Sequence, residues 1–249
     1  MTPVLIGIAG GLASGLLGVG GGIVLVPLLA RFLRLDQRRA QATSLAILVF
    51  TATAAALTYG AIGRVDFALA ARLAIGGMIG VYFGARASHG VPSATLRRAF
   101  GVMELLVGLR LLLPDLPVGT WLALPGLAGA VIEGVTGVVV GWLAGMLGVG
   151  GGVILVPVLT LLFGIPQHEA QGVSLFMIVP TAFIGAWTQL RQGSVEQRLV
   201  APIAIASVAA AIAAAAIAHA LPAAVLRQLF GLLLVVVGAS MALRPAPPR

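Results

Sequence analysis

Long apolar runs alternate with short polar clusters along this whole chain. The runs fall near residues 3–30, 42–62, 67–86, 96–113, 121–163, 172–190, 199–218 and 224–243. None shows the strict apolar/polar alternation of a half-buried strand, and Ala, Leu and Gly dominate them, so the pattern predicts helices and argues against a β-barrel. The first and fifth runs differ from the rest: Gly-Val-Gly-Gly-Gly interrupts them at 18–22 and 148–152. Glycine costs up to about 1 kcal/mol per residue within a helix, so three in a row predict a break. About eleven apolar residues follow each break, containing Pro27 or Pro157. Eleven helical residues reach about 16 Å, roughly half of a hydrocarbon core of about 30 Å. The expectation is therefore two half-helices meeting near mid-membrane, as a re-entrant hairpin or as one discontinuous span.

These two interruptions are copies of one another. Gly15-Leu-Leu-Gly-Val-Gly-Gly-Gly-Ile-Val-Leu-Val-Pro-Leu-Leu29 returns as Gly145-Met-Leu-Gly-Val-Gly-Gly-Gly-Val-Ile-Leu-Val-Pro-Val-Leu159, with 11 of 15 positions identical. The offset of 130 holds to the C-terminus without a gap, and 41 of the 119 aligned pairs match. The chain thus reads as a first repeat over 1–114, a linker over 115–130 and a second repeat over 131–249, with about three to four spans in each. In an apolar chain, such doubling points to a transporter whose site lies at the repeat interface.

Composition confirms the solvent. Apolar residues make up 60% and charged residues 9%, with mean hydropathy +1.12, far from the roughly 25% charged residues of soluble domains. The reading is an all-α polytopic membrane protein. The net charge of +8 comes from 15 arginines and no lysine, and in such a protein it reports topology, with no nucleic-acid partner implied. With four full spans per repeat, the repeats are parallel and the arginines divide eight to seven between the faces. With three, the second repeat is inverted. One face then collects Arg31, Arg34, Arg38, Arg39, Arg86, Arg97, Arg98, Arg191, Arg198, Arg244 and Arg249, leaving Arg64, Arg72, Arg110 and Arg227 on the other. Eleven against four obeys the positive-inside rule, so inverted repeats with both termini cytoplasmic are favoured. The N-terminus lacks a basic n-region and its sequence recurs at 137–155, so it is expected to belong to the mature fold.

A half-helix starting at Gly20, Gly21 and Gly22, and its twin at Gly150, Gly151 and Gly152, would present unpaired backbone N–H groups and the positive end of a helix dipole. Both favour an anion, and glycine allows the ligand close to the backbone. Gly7, Gly11 and Gly15, with Gly137, Gly141 and Gly145, instead fit a close helix-crossing face, as does the run 209–216. Uncharged donors within the apolar runs also come in pairs: Gln41/Gln171, Ser44/Ser174, Thr51/Thr181 and Thr58/Thr188. Such donors replace the hydration of an anion while leaving it free to depart, and Gln41, Ser44, Gln171 and Ser174 are the candidates to line a site. The ordinary role of membrane Ser and Thr is a bond back to their own helix.

The doubled Gly-Leu-Leu-Gly-Val-Gly-Gly-Gly-(x)4-Pro pattern, followed after Pro27 by Ala42-Thr-Ser-Leu45 and in the copy by Gly172-Val-Ser-Leu175, resembles the TauE/SafE family of sulfite exporters and membrane transporter proteins. The resemblance covers essentially the whole chain and departs at Val173, which stands where the first copy has Thr43. It implies a multi-pass protein of the bacterial inner membrane that moves a small anion such as sulfite, a sulfonate or a related organic acid. It names neither the anion nor the direction.

Remaining polar positions refine the picture. Glu104 lies within a predicted span and has Leu234 as its counterpart; ionisable groups there are costly and mark function or pairing. It is a candidate for proton coupling, or for an ion pair with Arg72 or Arg110. His89 and His219, beside Pro92 and Pro222, suit helix ends, and Trp121 suits an interfacial anchor, while packing or anchoring suits Trp142 and Trp187 better than a cavity wall. No phosphate-binding Gly-x-x-x-x-Gly-Lys-Ser/Thr motif occurs, so secondary transport by alternating access is expected, with a channel-like anion facilitator as the alternative. An intramembrane hydrolase built on Ser14 with His89 or His219 is the weak rival, because position 144 in the copy is Ala. No catalytic residue, metal ligand set or cofactor is implied; the expected partners are a small anionic substrate and the lipid bilayer. Association into a homo-oligomer stays open.

Overall fold

The computed structural model describes residues 2–62, 65–87, 93–113, 120–122 and 124–243, and all regular structure among them is α-helical. In the first half these are α1 (Pro3–Leu17), α2 (Gly22–Phe32), α3 (Gln37–Ala61), α4 (Phe67–Ala87) and α5 (Ser93–Leu112). In the second they are α6 (Gly126–Leu147), α7 (Gly152–Leu161), α8 (Gln167–Arg191), α9 (Gln197–Ala220) and α10 (Ala223–Leu243). Six of them, α3, α4, α6, α8, α9 and α10, are long and apolar enough to cross a membrane. His89, Arg64, residue 114, residues 115–119 of the expected linker and the tail from 244 lie outside the described residues.

Helices occupy the apolar runs, and the largest boundary shifts have a local cause. Helices α3 and α8 begin at Gln37 and Gln167, one polar turn before the apolar runs. At α3 a cap sets the start: Asp36 accepts from the Arg39 amide at 2.9 Å, while at α8 Pro166 stands at the equivalent position and no side chain caps the helix. Asp66 also accepts from the Leu69 amide at 2.9 Å at the start of α4.

One expectation changes. The helices before the two glycine turns differ in length. Helix α6 has 22 residues, about 33 Å at the usual rise, and is long enough to cross a membrane, whereas α1 has 15. Helices α2 and α7, with 11 and 10 residues, are half-length. The long apolar run 121–147 had room for the extra turns of α6.

Contact registers give the helix directions. Gly7, Gly11 and Gly15 of α1 abut the carbonyls of Ile203, Ser207 and Ala211 of α9, with numbers rising together, so these helices run parallel. Gly137, Gly141 and Gly145 of α6 meet the carbonyls of Leu73, Gly77 and Val81 of α4 in the same way. The second set is the first shifted by 130. A glycine every fourth residue removes the side chains from one stripe and lets the backbones touch, which is the strongest packing device available where lipid is as apolar as Leu. Facing that stripe, Ala206, Ala210 and Ala214 approach Gly7, Gly11 and Gly15, which accounts for the alanine run. Helix α5 crosses α10 antiparallel, with Gly101 against Gly238 and Gly108 against Gly231. Helices α3 and α8 are antiparallel too, since Gly60 meets Phe176 while Gly185 meets Leu45. Helix α9 runs along α3, with Thr43 near Glu196 and Tyr59 near His219. Large apolar side chains such as Leu57, Ile75, Phe83 and Ile205 remain on the outside, as lipid-facing residues do.

Candidate functional site

Both glycine turns are built alike. Helix α1 ends where the Gly18 amide donates to the Ser14 carbonyl at 3.0 Å, and α6 ends where the Gly148 amide donates to Ala144 at 2.8 Å. Gly18, Gly20 and Gly21 have φ of +69°, +75° and +83°, and Gly148, Gly150 and Gly151 have +67°, +81° and +81°. L-residues avoid this left-handed region, so the glycines are required by conformation. Helix α2 then starts with the amides of Val24 and Leu25 returning to the Gly21 carbonyl at 3.1 and 3.0 Å; Ile154 and Leu155 return to Gly151 at 3.0 and 2.9 Å. Gly22 and Ile23, and in the copy Gly152 and Val153, are left as the helix-terminal amides without an intrahelical acceptor.

The turns cross in the middle of the molecule. A Cβ on Gly22 would lie 2.6 Å from the Val149 carbonyl, and one on Gly152 would lie 2.7 Å from the Val19 Cα. Gly20 and Gly150 both face Leu48 of α3 and Ile178 of α8, residues that are themselves 130 apart. All ten residues of 18–22 and 148–152 are buried. The two sets of helix-terminal amides therefore lie close to one another, packed tightly in this conformation.

The candidate side chains divide between the copies. Gln171 donates from Nε2 to the Leu16 carbonyl at 3.2 Å and stands 3.1 Å from the Tyr59 hydroxyl through Oε1. Tyr59 also reaches the Gly15 carbonyl at 3.1 Å. Ser174 donates to the Gly18 carbonyl at 2.9 Å, and its Oγ would lie 2.9 Å from a Cβ on Gly152. These second-half residues tie down the last carbonyls of α1. In the first half, Gln41 is half-buried and packs against Gly148, while the buried Ser44 Oγ has no hydrogen-bond partner among the described residues. Gln189, the counterpart of Tyr59, is also buried with an unpartnered Oε1. Tyr59 and Gln189 were missed in the sequence because they are unlike residues; a search for polar pairs at the offset, ignoring identity, would have found them.

Other polar positions take ordinary roles. Thr51, Thr58, Thr181 and Thr188 bond back to the carbonyls of Ile47, Ala54, Met177 and Ile184. Arg72 pairs with Glu133 of α6, which overturns a pairing of Arg72 with Glu104: Glu133 lies in the second turn of the helix that packs along α4, whereas Glu104 sits on α5 facing Gly238 of α10. Glu104 is buried, and neither of its oxygens has a hydrogen-bond partner among the described residues. It is not part of the glycine turns. The His219 Nδ1 lies 2.7 Å from the Ala215 carbonyl and its ring meets Tyr59 edge-on, while the Ser14 Oγ has no partner among the described residues, so no Ser14–His219 hydrogen bond is formed. Trp121, Trp142 and Trp187 are exposed to different degrees, and Arg191 stacks over the Trp187 ring at 4.8 Å.

Sequence comparison decides the family. The model of the family described as sulfite exporter TauE/SafE matches residues 1–111 and 134–249. The chain belongs to the TauE/SafE family. The two matched segments flank the connection between the halves. A probable membrane transporter protein, YunE of Bacillus subtilis, is 30% identical over 214 residues, covering 77% of this chain and 78% of that protein. Another, YdhB of the same organism, is 30% identical over 109 residues, 44% of each chain. No solved structure matches. With six helices suited to crossing a bilayer, this TauE/SafE protein is a multi-pass membrane protein placed among membrane transporters.

Proposed function

We propose that this TauE/SafE protein carries a small oxyanion or organic anion, such as sulfite or a sulfonate, by alternating access around the crossed glycine turns. The observation that carries the reading is the meeting of two half-length helices whose free N-terminal amides, at Gly22/Ile23 and Gly152/Val153, lie on either side of one buried crossing. Fixed N–H dipoles in a dry site stabilise an anion without a full counter-charge, so binding need not be so tight that release fails. Gly20, Gly21, Gly150 and Gly151 let a ligand reach these amides. Ser44 adds an uncommitted hydroxyl and Gln41 a half-buried amide, while Gln171 and Ser174 position the α1 end. The family description supports sulfite-like cargo, and the names of the relatives support membrane transport.

The halves over 1–114 and 131–249 act as inverted repeats in this reading. Antiparallel crossing of the equivalent pairs α3/α8 and α5/α10 supports a two-fold axis in the membrane plane, and the arginine asymmetry supports a cytoplasmic face holding both termini. Exchange of the two halves about that axis would expose the turns first to one side and then to the other. Glu104 is the proposed coupling group, because a buried carboxyl with no hydrogen-bond partner among the described residues is costly unless it serves function.

Uptake of labelled sulfite into proteoliposomes, with imposed pH gradients and competing sulfonates and carboxylates, tests this. Saturable flux with competition is expected, and Glu104→Gln is expected to retain flux while losing its dependence on the pH gradient. Sulfite flux that neither saturates nor responds to any competing anion would refute a binding-site carrier.

A further inference from the structure

On the face opposite the termini lies a cavity of about 340 Å³, framed by the ends of α5 and α7 and the starts of α8 and α10. Two arginines line it, Arg110 from the last turn of α5 and Arg227 from the second turn of α10, together with Gln167, the first residue of α8. Gln167 is only 7% exposed, and its Nε2 is buried without an acceptor; the Arg227 Nε is buried and equally unpartnered among the described residues. Ala223 and Ala224, also in the lining, open α10. The amides of Val225 and Leu226 return to the Pro222 carbonyl at 3.0 and 3.2 Å, which leaves those of Ala223 and Ala224 as donors. No described carboxylate lines the cavity.

Among the described lining residues, the acceptors that could reduce this positive character are occupied elsewhere. Thr160 turns its hydroxyl to the carbonyls of Val156 and Pro157. At the C-terminus of α7, the Val158 carbonyl accepts from Leu162 and Phe163, and the Leu159 carbonyl accepts from Ile165, so few bare acceptors face the space. Arg72, another arginine at this end of the bundle, is paired with Glu133.

We propose that this cavity is an oxyanion-binding site distinct from the glycine turns, with Arg227, Gln167 and the α10 amides as its donors. Nine residues of α7 separate Gly152 from Leu161 in its wall, about 13 Å along the helix axis, so one anion cannot occupy both places. The site is not repeated on the other face. At the positions 130 residues away, Ser240 replaces Arg110, Asp36 replaces Pro166, and Arg31 and Arg34 replace Leu161 and Gly164, so the same donors are not assembled there. A charge-assisted fork from arginine suits a sulfite, sulfonate or phosphate oxygen pair. Such a group arrives either as a free anion or on a lipid headgroup. The site itself does not depend on the transport reading; its service as a capture or release station does.

Calorimetric titration with sulfite in neutral phosphatidylcholine nanodiscs tests it, using Arg227→Gln, Arg227→Lys and Gln167→Leu, with Gly150→Val disabling the central turns. Sulfite binding about tenfold or more weaker in the Arg227 and Gln167 variants, yet retained in Gly150→Val, is the expected result. If all sulfite binding vanishes in Arg227→Gln and none is lost in Gly150→Val, the cavity stands and the central site fails. Isotherms of folded Arg227→Lys and Gln167→Leu that match the unsubstituted protein would overturn the cavity site. In phosphatidylglycerol nanodiscs, weakened sulfite binding identifies a headgroup phosphate as competitor, and unchanged binding identifies the free anion as occupant.

Discussion

Gly21 and Gly151 hold nearly the same backbone, at φ +83° and +81°, in different surroundings. A Cβ on Gly21 would strike the Gly10 carbonyl, a backbone atom that cannot give way, whereas one on Gly151 would meet the Ala144 and Val140 side chains at 3.2 Å. Alanine at either position bears about 1–2 kcal/mol of left-handed strain. Gly21→Ala is expected to lose about 1–3 kcal/mol more from overpacking, so its thermal unfolding in detergent should occur well below that of Gly151→Ala. Equal unfolding temperatures would show that the two turns have the same freedom, against the packing described here. Nothing in the sequence distinguishes them, because both copies read Gly-Val-Gly-Gly-Gly; the difference lies in what folds against each. The same holds for Ser44 and Ser174. Their identity and pairing were legible, but the bond from Ser174 to Gly18 depends on a contact between halves that no local pattern encodes.

At the level of elements, the glycine stripes decide how helices associate. Gly137 and Gly134 lie on the same helix one turn apart. A Cβ on Gly137 would run into the Leu73 carbonyl, while one on Gly134 would meet nothing within 4 Å. Gly137→Ala is expected to destabilise by about 1–3 kcal/mol through forced separation of α4 and α6. Gly134→Ala should be neutral, or stabilising by up to about 1 kcal/mol through helix propensity. Unfolding of the two purified variants compared with the parent checks the pair, and equal losses would contradict a backbone-to-backbone crossing. Hydrophobic run length made the helices readable, and the four-residue glycine spacing made their close faces readable. Partner choice was not. That α1 lies on α9, and α6 on α4, follows from assembly of the two halves, and the greater length of α6 than α1 was hidden because both were read as half-helices ending at the same glycine break.

Over the whole molecule, the offset of 130 and the glycine turns were visible in the residues, and the family resemblance they carried agrees with the match over 1–111 and 134–249. The cavity between α5, α7, α8 and α10 was not visible, because Arg110, Gln167 and Arg227 come from three separate segments and only tertiary packing brings them together. A carrier that alternates can return its site occupied and so exchange internal for external cargo, whereas a pore does not couple the two fluxes in this way. Counterflow therefore probes the central claim most directly. Proteoliposomes loaded with unlabelled sulfite and diluted into trace labelled sulfite should accumulate label transiently above equilibrium, and Gly150→Val protein should show no such overshoot. Label that rises smoothly to equilibrium in the parent protein, with no overshoot at any internal sulfite concentration, would contradict alternating access at the crossed turns.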